Sequence, residues 1–302
     1  MQFRRSILSV PGNKNQMFTK ALNSNADCIQ FDLEDSVSAD SKSQARELLL
    51  DFFNTYTKFD KLISLRINAI NSTYILDDLT YLEDVILNKI DYLVIPKVES
   101  AKDVTFVETY INCLESKNNI ESKLKFDICI ESAKALININ NIATSSGRIS
   151  ALVFGIADFS ESMGMDLNSI SGHGEELSTE SHSLIDYALN CLSVTAKANG
   201  IEAIDAPFGD YQNPEMLKKS SNIAHSKGIN AKWAIHPSQV EIINEIFMPS
   251  RKMINNAEMV IELFEKALSE GKASISYDGK MIDIATYSIA KSTLKKVPNG
   301  NS

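Results

Sequence analysis

Phe126-Asp-Ile-Cys-Ile130, with Glu131 directly after it, and Ala151-Leu-Val-Phe-Gly155, with Asp158 three residues further on, are short apolar runs that each lead to a carboxylate. Such a run, bounded by polar residues, reads as a buried strand. Outward from these two, the same theme recurs at Ser6–Val10, Cys28–Phe31, Leu62–Arg66, Tyr92–Ile95, Glu202–Ala206 and Lys232–Ile235. Helical periodicity fills the intervals, at Lys14–Asn23, Ser41–Phe53, Asp77–Asn88, Ala101–Leu114 and Ser183–Ala198. Strands alternating with helices imply right-handed crossovers and a parallel sheet. Eight such units without an internal linker predict an α/β fold, a closed (β/α)8 TIM barrel, rather than two doubly wound domains.

The residues at the strand ends point the same way. In chain order they are Pro11-Gly12, Asp32-Leu-Glu34-Asp35, Arg66, Pro96-Lys97, Glu131, Asp158, Asp205 and His236-Pro237. In a barrel the C-terminal strand ends open onto one working face, where a rigid sheet holds reactive side chains. Two acids and an arginine converging there suggest a divalent metal facing an anionic substrate.

Each of these residues also has a plainer reading. Glu131 precedes a helical stretch and would complement its dipole. Asp158, with Glu161 three residues on, fits an N-cap. Asp35 would cap the following helix or fold back onto a cation. Arg66 would form an ion pair with Glu34 or Asp35, because an unpaired buried charge is costly. If a metal is bound, its ligands are oxygens. No His-x-x-His or Cys-x-x-Cys pair occurs, which disfavours zinc. Two carboxylates with open positions for water and substrate suit Mg2+. His173 falls in a glycine-rich insertion, His182 and His225 on helices, and His236 before a proline. His236 and Trp233 are expected to shape the barrel end rather than to react.

Composition narrows the classes further. The chain has 302 residues, 44% hydrophobic and 23% charged, with a formal charge of −9. That acidity, with no strongly basic stretch, argues against a nucleic-acid partner. No run approaches the roughly 20 apolar residues of a membrane span, and the first apolar run is too short for a signal peptide. Four scattered cysteines, Cys28, Cys113, Cys129 and Cys191, fit a reducing, cytoplasmic setting. No nucleophile elbow or dinucleotide fingerprint is present. Val10-Pro-Gly-Asn-Lys14 places a turn and a lysine at a helix start, a weak phosphate signal.

Two regions exceed a plain barrel. Residues 159–182 form a long polar insertion expected to act as a lid. After the barrel (residues 1–236), residues 237–302 form a helical extension with helices at Ser250–Glu270 and near Lys295, around an Asp-Gly turn in Ser274–Asp283.

The motifs Arg4-Arg-Ser-Ile-Leu-Ser-Val-Pro-Gly12, Phe31-Asp-Leu-Glu-Asp-Ser-Val37, Arg66-Ile-Asn68, Pro96-Lys-Val-Glu99, Ile130-Glu-Ser132 and Gly155-Ile-Ala-Asp158 resemble the citrate lyase β-subunit/malyl-CoA lyase family. The resemblance continues through Ile204-Asp-Ala-Pro-Phe-Gly-Asp210, Lys232-Trp-Ala-Ile-His-Pro-Ser-Gln239 and Asp278-Gly-Lys-Met-Ile-Asp283, where it is nearest the malyl-CoA and β-methylmalyl-CoA lyases. It implies a TIM barrel, a homo-oligomer (trimer or hexamer), and Mg2+-dependent C–C cleavage or formation, with Mn2+ as a substitute. The substrate it implies is a β-hydroxyacyl-CoA thioester, such as malyl-, β-methylmalyl- or citramalyl-CoA. The products are acyl-CoA and a 2-oxo acid, glyoxylate or pyruvate.

By the same resemblance Glu131 and Asp158 hold the metal. Arg66 pairs with the substrate carboxylate and reacting oxygen. Asp283, supplied by a neighbouring subunit, transfers the proton to the enolate. Arg5 and Lys14 are weaker candidates for the CoA phosphates, and Glu34 and Asp35 shape the site. The alternatives it leaves are a citrate lyase β-subunit acting on citryl thioesters, a CoA thioesterase, and a pyruvate aldolase, the last disfavoured by the Asp278–Asp283 segment.

Overall fold

The computed structural model describes residues 4–56, 58–85, 89–121, 123–165, 179–295 and 297, without the side chains of 83–85 and 179–182. Eight parallel strands close into a barrel in sequence order: β1 Ser6–Pro11, β2 Cys28–Asp32, β3 Leu62–Arg66, β4 Tyr92–Ile95, β5 Lys125–Ile130, β6 Ile149–Phe154, β7 Glu202–Asp205 and β8 Ala231–Ala234. Each strand pairs with its neighbours, and β8 returns to β1. The expected TIM barrel is present, with every strand within about two residues of its sequence-derived limits.

The helices that matter for the site are α1 Asn15–Leu22, α2 Lys42–Thr55, α3 Ile75–Val85, α4 Ala101–Lys117, α5 Ala133–Ile137, α6 Ile139–Ala143 and α7 Ile156–Ser162. They are followed by α8 Thr179–Ala198, α9 Pro214–Ser226 and α10 Val240–Ile246. The central part of the expected lid, residues 166–178 with His173, lies outside the described residues, as does the His182 side chain. Among the described residues no helix is long and apolar enough to cross a membrane.

Strand side chains alternate between the barrel lumen and the helix layer. Ile7, Cys28, Leu62, Tyr92, Val94, Cys129, Ala151, Val153, Ile204, Ala231 and Trp233 cluster inside. That parity sends Asp127, Cys129 and Glu131 inward at successive heights of β5. At the N-terminal end, Arg4 is fully buried, bidentate to Asp127 at 2.6 and 2.8 Å, bonded to Glu202 at 2.7 Å, and 3.8 Å from the Tyr92 ring centre. This charged plug closes one end of the lumen. The other end carries the acids.

A second compact unit begins at Glu245. Its described part holds α11 Arg251–Ser269, a hairpin of β9 Ile275–Tyr277 and β10 Lys280–Ile282, and α12 Ile284–Leu294. Asp278 and Gly279 turn the hairpin with φ of 47° and 71°, the left-handed pair that an Asp-Gly hairpin turn requires. Ala257, Val260, Phe264, Ile282 and Ala290 form the core of this unit.

Candidate active site

Register explains why the acids meet. Ile130 of β5 pairs with Phe154 of β6, so the next residues, Glu131 and Gly155, emerge side by side at the rim. Gly155 is required there: a Cβ on it would lie 2.3 Å from Glu131 Oε2 and 2.5 Å from Glu131 Cβ. Glu131 fills the space that the missing side chain leaves, 5% exposed, and its Oε1 accepts the Lys97 N–H at 2.5 Å. Burial, with Glu34 and Asp158 adding negative charge, pushes the Glu131 carboxyl up to about 8.

Neither Glu131 nor Asp158 occupies an N-cap position. Ser132, not Glu131, caps α5, accepting the Ala135 N–H at 3.0 Å. Gly155 is the N-cap of α7, so Asp158 sits in its first turn with no cap bond recorded for that helix. Glu131 and Asp158 share a cleft of about 550 Å3, lined also by Asn71, Lys97, Glu99 and Ser132. Among the described residues no cage of three or more His, Cys, Asp or Glu side chains is formed. A metal here would therefore rest on a carboxylate pair, with water and substrate oxygens completing its shell, the arrangement Mg2+ favours.

Arg66 ends β3 beside Asp32, which ends β2, in direct register. Its guanidinium grips Asp32 through Nε and Nη2, both at 2.7 Å, and Nη1 lies 2.8 Å from Glu34. Burial opposes ionisation of Asp32, but Arg66, Ser36 and the Glu34 N–H outweigh it and hold the carboxyl below its ordinary range. Burial likewise opposes the Arg66 charge, which Asp32 and Glu34 restore and raise. The Arg66 guanidinium also lies 5.5 Å from the Trp233 ring centre. Arg66 thus pairs with Glu34, as its plainer reading holds, but its main partner is Asp32. The bidentate bond uses two guanidinium N–H groups and leaves others for an anionic ligand.

Two residues carry more of this rim than their sequence context suggests. Asp32 was visible only as a strand end, and its inward parity with Cys28 is the signal that marks it. Lys97 also stood at a strand end; its Nζ lies 2.9 Å from Glu34, 3.2 Å from Asp35 and 3.4 Å from Asp158. Asp35 therefore folds back onto a cation instead of capping a helix. Glu34 bridges Arg66 and Lys97 through close charge pairs that are not aligned as hydrogen bonds. Burial raises its carboxyl, only partly offset by Arg66.

The remaining candidates fall elsewhere. Lys14 is exposed at the start of α1, on the same rim, where its N–H bonds Pro11 O at 3.0 Å. The expectation that Arg5 meets a CoA phosphate is corrected by strand direction. Arg5 precedes β1, so it stands at the opposite end of the barrel, bidentate to Asp27 at 2.8 and 2.8 Å. Asp283 lies in the C-terminal unit as the N-cap of α12, its Oδ1 accepting the Thr286 N–H at 2.9 Å. That bond, with the Thr286 hydroxyl, holds its carboxyl below the ordinary range. His236 caps a short 3-10 turn and stacks on Tyr211 at 4.7 Å between ring centres.

Comparison with known proteins places this architecture. The family model "HpcH/HpaI aldolase/citrate lyase" matches residues 5–237. An L-malyl-CoA/β-methylmalyl-CoA lyase of Cereibacter sphaeroides is 33% identical over 293 residues, covering 95% of this chain and 92% of that protein. The citrate lyase subunit β of Leuconostoc mesenteroides subsp. cremoris is 30% identical over 283 residues, covering 93% and 89%. In fold, the chain resembles the CitE protein of Mycobacterium tuberculosis, crystallised with magnesium, acetoacetate and coenzyme A, at a TM-score of 0.75 and 22% identity over 97% of this chain and 98% of that one. The closed barrel, the acids at its C-terminal rim and matches spanning nearly the whole sequence lead to one conclusion: the chain belongs to the HpcH/HpaI aldolase/citrate lyase family.

Proposed function

We propose that this chain is a Mg2+-dependent carbon–carbon lyase acting on a β-hydroxyacyl-CoA thioester, with malyl-CoA and β-methylmalyl-CoA as its leading substrates. Acyl-CoA and a 2-oxo acid are the products, and the reaction also runs toward condensation. The observation that carries this reading is Glu131, a buried carboxylate in a cradle kept open by Gly155, sharing a cleft with Asp158. The two are oxygen donors suited to Mg2+, or to Mn2+ in its place, and a bound ion would supply a Lewis acid for the negative charge that develops on the substrate oxygen.

The chain's own groups do the rest. Arg66, locked by Asp32, presents its remaining N–H groups to the 2-oxo acid carboxylate and the reacting oxygen without reorganising. Lys14, at the N-terminus of an eight-residue helix, is placed for a CoA phosphate. Asp283 is the proton-transfer group. Its cap bonds favour the ionised form, which removes the α-proton of acyl-CoA during condensation. In cleavage the same carboxyl, protonated, gives its proton to the α-carbon of the enolate, while the hydroxyl proton of the substrate leaves to solvent, from which the carboxylate is reprotonated. Met281 and Ile284, 66% and 62% exposed, flank Asp283. Apolar residues so exposed support a contact through which another copy presents Asp283 within a homo-oligomer.

The test is a panel of malyl-, β-methylmalyl-, citramalyl- and citryl-CoA with product identification. We expect glyoxylate or pyruvate, lost in Glu131→Ala and Asp158→Ala while the fold persists. Activity retained in both variants would discard the metal pair. Citryl-CoA cleavage to oxaloacetate alone would favour the second reading, a citrate lyase β-subunit, supported by the 30% identical Leuconostoc protein. Free thiol with intact hydroxyacid would mean hydrolysis.

A further inference from the structure

Lys97 follows β4 with φ of 51°, a left-handed conformation that carries strain for any residue with a side chain. The turn has two results. The N–H points to Glu131 Oε1, and the side chain crosses the rim to bring Nζ within 3.4 Å of Asp158 and closer still to Glu34 and Asp35. One residue therefore touches both proposed metal ligands, the first through its backbone and the second through its ammonium. Arg66 is committed to Asp32 and Glu34, so Lys97 is the cation that the described residues bring to Asp158.

We propose that Lys97 is the internal counter-cation of the metal-free site. Its ammonium neutralises Asp158 until a divalent ion takes that place, and it then stays on Glu34 and Asp35. The inference rests on the metal assignment made above. It has a definite sign, because an ammonium held beside a cation site repels the incoming ion and competes for its ligand. Lys97 therefore weakens metal binding while it keeps the crowded carboxylates together in the absence of metal. Removing the charge should tighten binding on the order of tenfold for charges a few ångströms apart at a wet rim.

The experiment titrates the full-length protein with Mn2+, following free ion by electron paramagnetic resonance. Lys97→Met should bind Mn2+ about tenfold more tightly than wild type. Lys97→Arg, which keeps the charge, should stay near wild type. Metal-free Lys97→Met should unfold at lower temperature, with the difference removed by saturating Mn2+. Lys97→Gly, which also relieves the positive φ, serves if the methionine variant does not fold, and should show the same tightening. Structural damage loosens a metal site, so a gain in affinity is the signature of a lost competing charge. Equal or weaker binding in the folded uncharged variant would overturn the counter-cation role. Absence of Mn2+ binding in wild type would overturn the metal assignment, and this inference with it.

Discussion

A single methyl group at Gly155 should disable the site. Gly155 has φ −107° and ψ 89°, a conformation open to any L-residue, so Gly155→Ala introduces no backbone strain and its whole effect comes from the added Cβ. That atom would lie 2.3 Å from Glu131 Oε2 and 2.5 Å from Glu131 Cβ. Ordinary contact begins near 3.4 Å, so both atoms must retreat by about 1 Å. Glu131 cannot do this freely, since its other oxygen is held by the Lys97 N–H. A displacement of about 1 Å at a reacting centre costs about a hundredfold in rate, and overpacking costs about 1–3 kcal/mol of stability. The assay is malyl-CoA cleavage at saturating Mg2+, with Mn2+ affinity and urea unfolding measured on the same preparations. Gly147→Ala is the control, because a Cβ there meets nothing within 4 Å, and it should change none of the three. Wild-type turnover and Mn2+ affinity in Gly155→Ala would refute the cradle.

The other predictions concern charge. The Glu131 carboxyl, raised from 4.5 to about 8, must lose its proton to bind metal, so Mg2+ affinity should climb with pH and level off above about 8. For the same group the metal-free folded state holds the proton more tightly than the unfolded chain. Its stability should therefore fall as pH rises between those values, a trend that urea titrations with and without Mg2+ will check. Arg66→Lys cannot reproduce the bidentate grip on fully buried Asp32, and should lose about 3–5 kcal/mol together with most activity; a loss under 1 kcal/mol in urea would count against the pairing. Inactive Asp283→Ala and Arg66→Ala preparations, mixed and allowed to exchange subunits, should regain activity. Failure to complement would confine Asp283 to its own chain or remove it from the chemistry.

The barrel was readable because each strand carries its own stop signal: an apolar run closed by a charged or turn-forming residue. The acids at those stops were readable too, but not their competing roles. Whether Asp158 caps α7 depends on where that helix begins, and the Gly155 N-cap is a matter of backbone geometry. Arg5 was misplaced for a different reason. It lies close in sequence to the Pro11-Gly12 turn, yet a strand separates the two, and that strand carries them to opposite ends of the barrel. Lys97 is the opposite case, plainly present at a strand end but without a role, because nothing in its neighbours announces a positive φ. Gly155 read as the close of a strand, and its role emerges only from the pairing that sets it beside Glu131.

The plug at the far end of the barrel bears on how the chain tolerates editing. Arg4 is bonded to partners 123 and 198 positions away, so a residue that precedes β1 joins β5 to β7. Removing it would leave Asp127 and Glu202 without their cation in a dry interior, a deficit of about 3–5 kcal/mol. Such distant partners can be satisfied only after most of the barrel has formed. A single side chain ahead of the first strand thus acts as a keystone set last, holding together strands that lie far apart in the sequence.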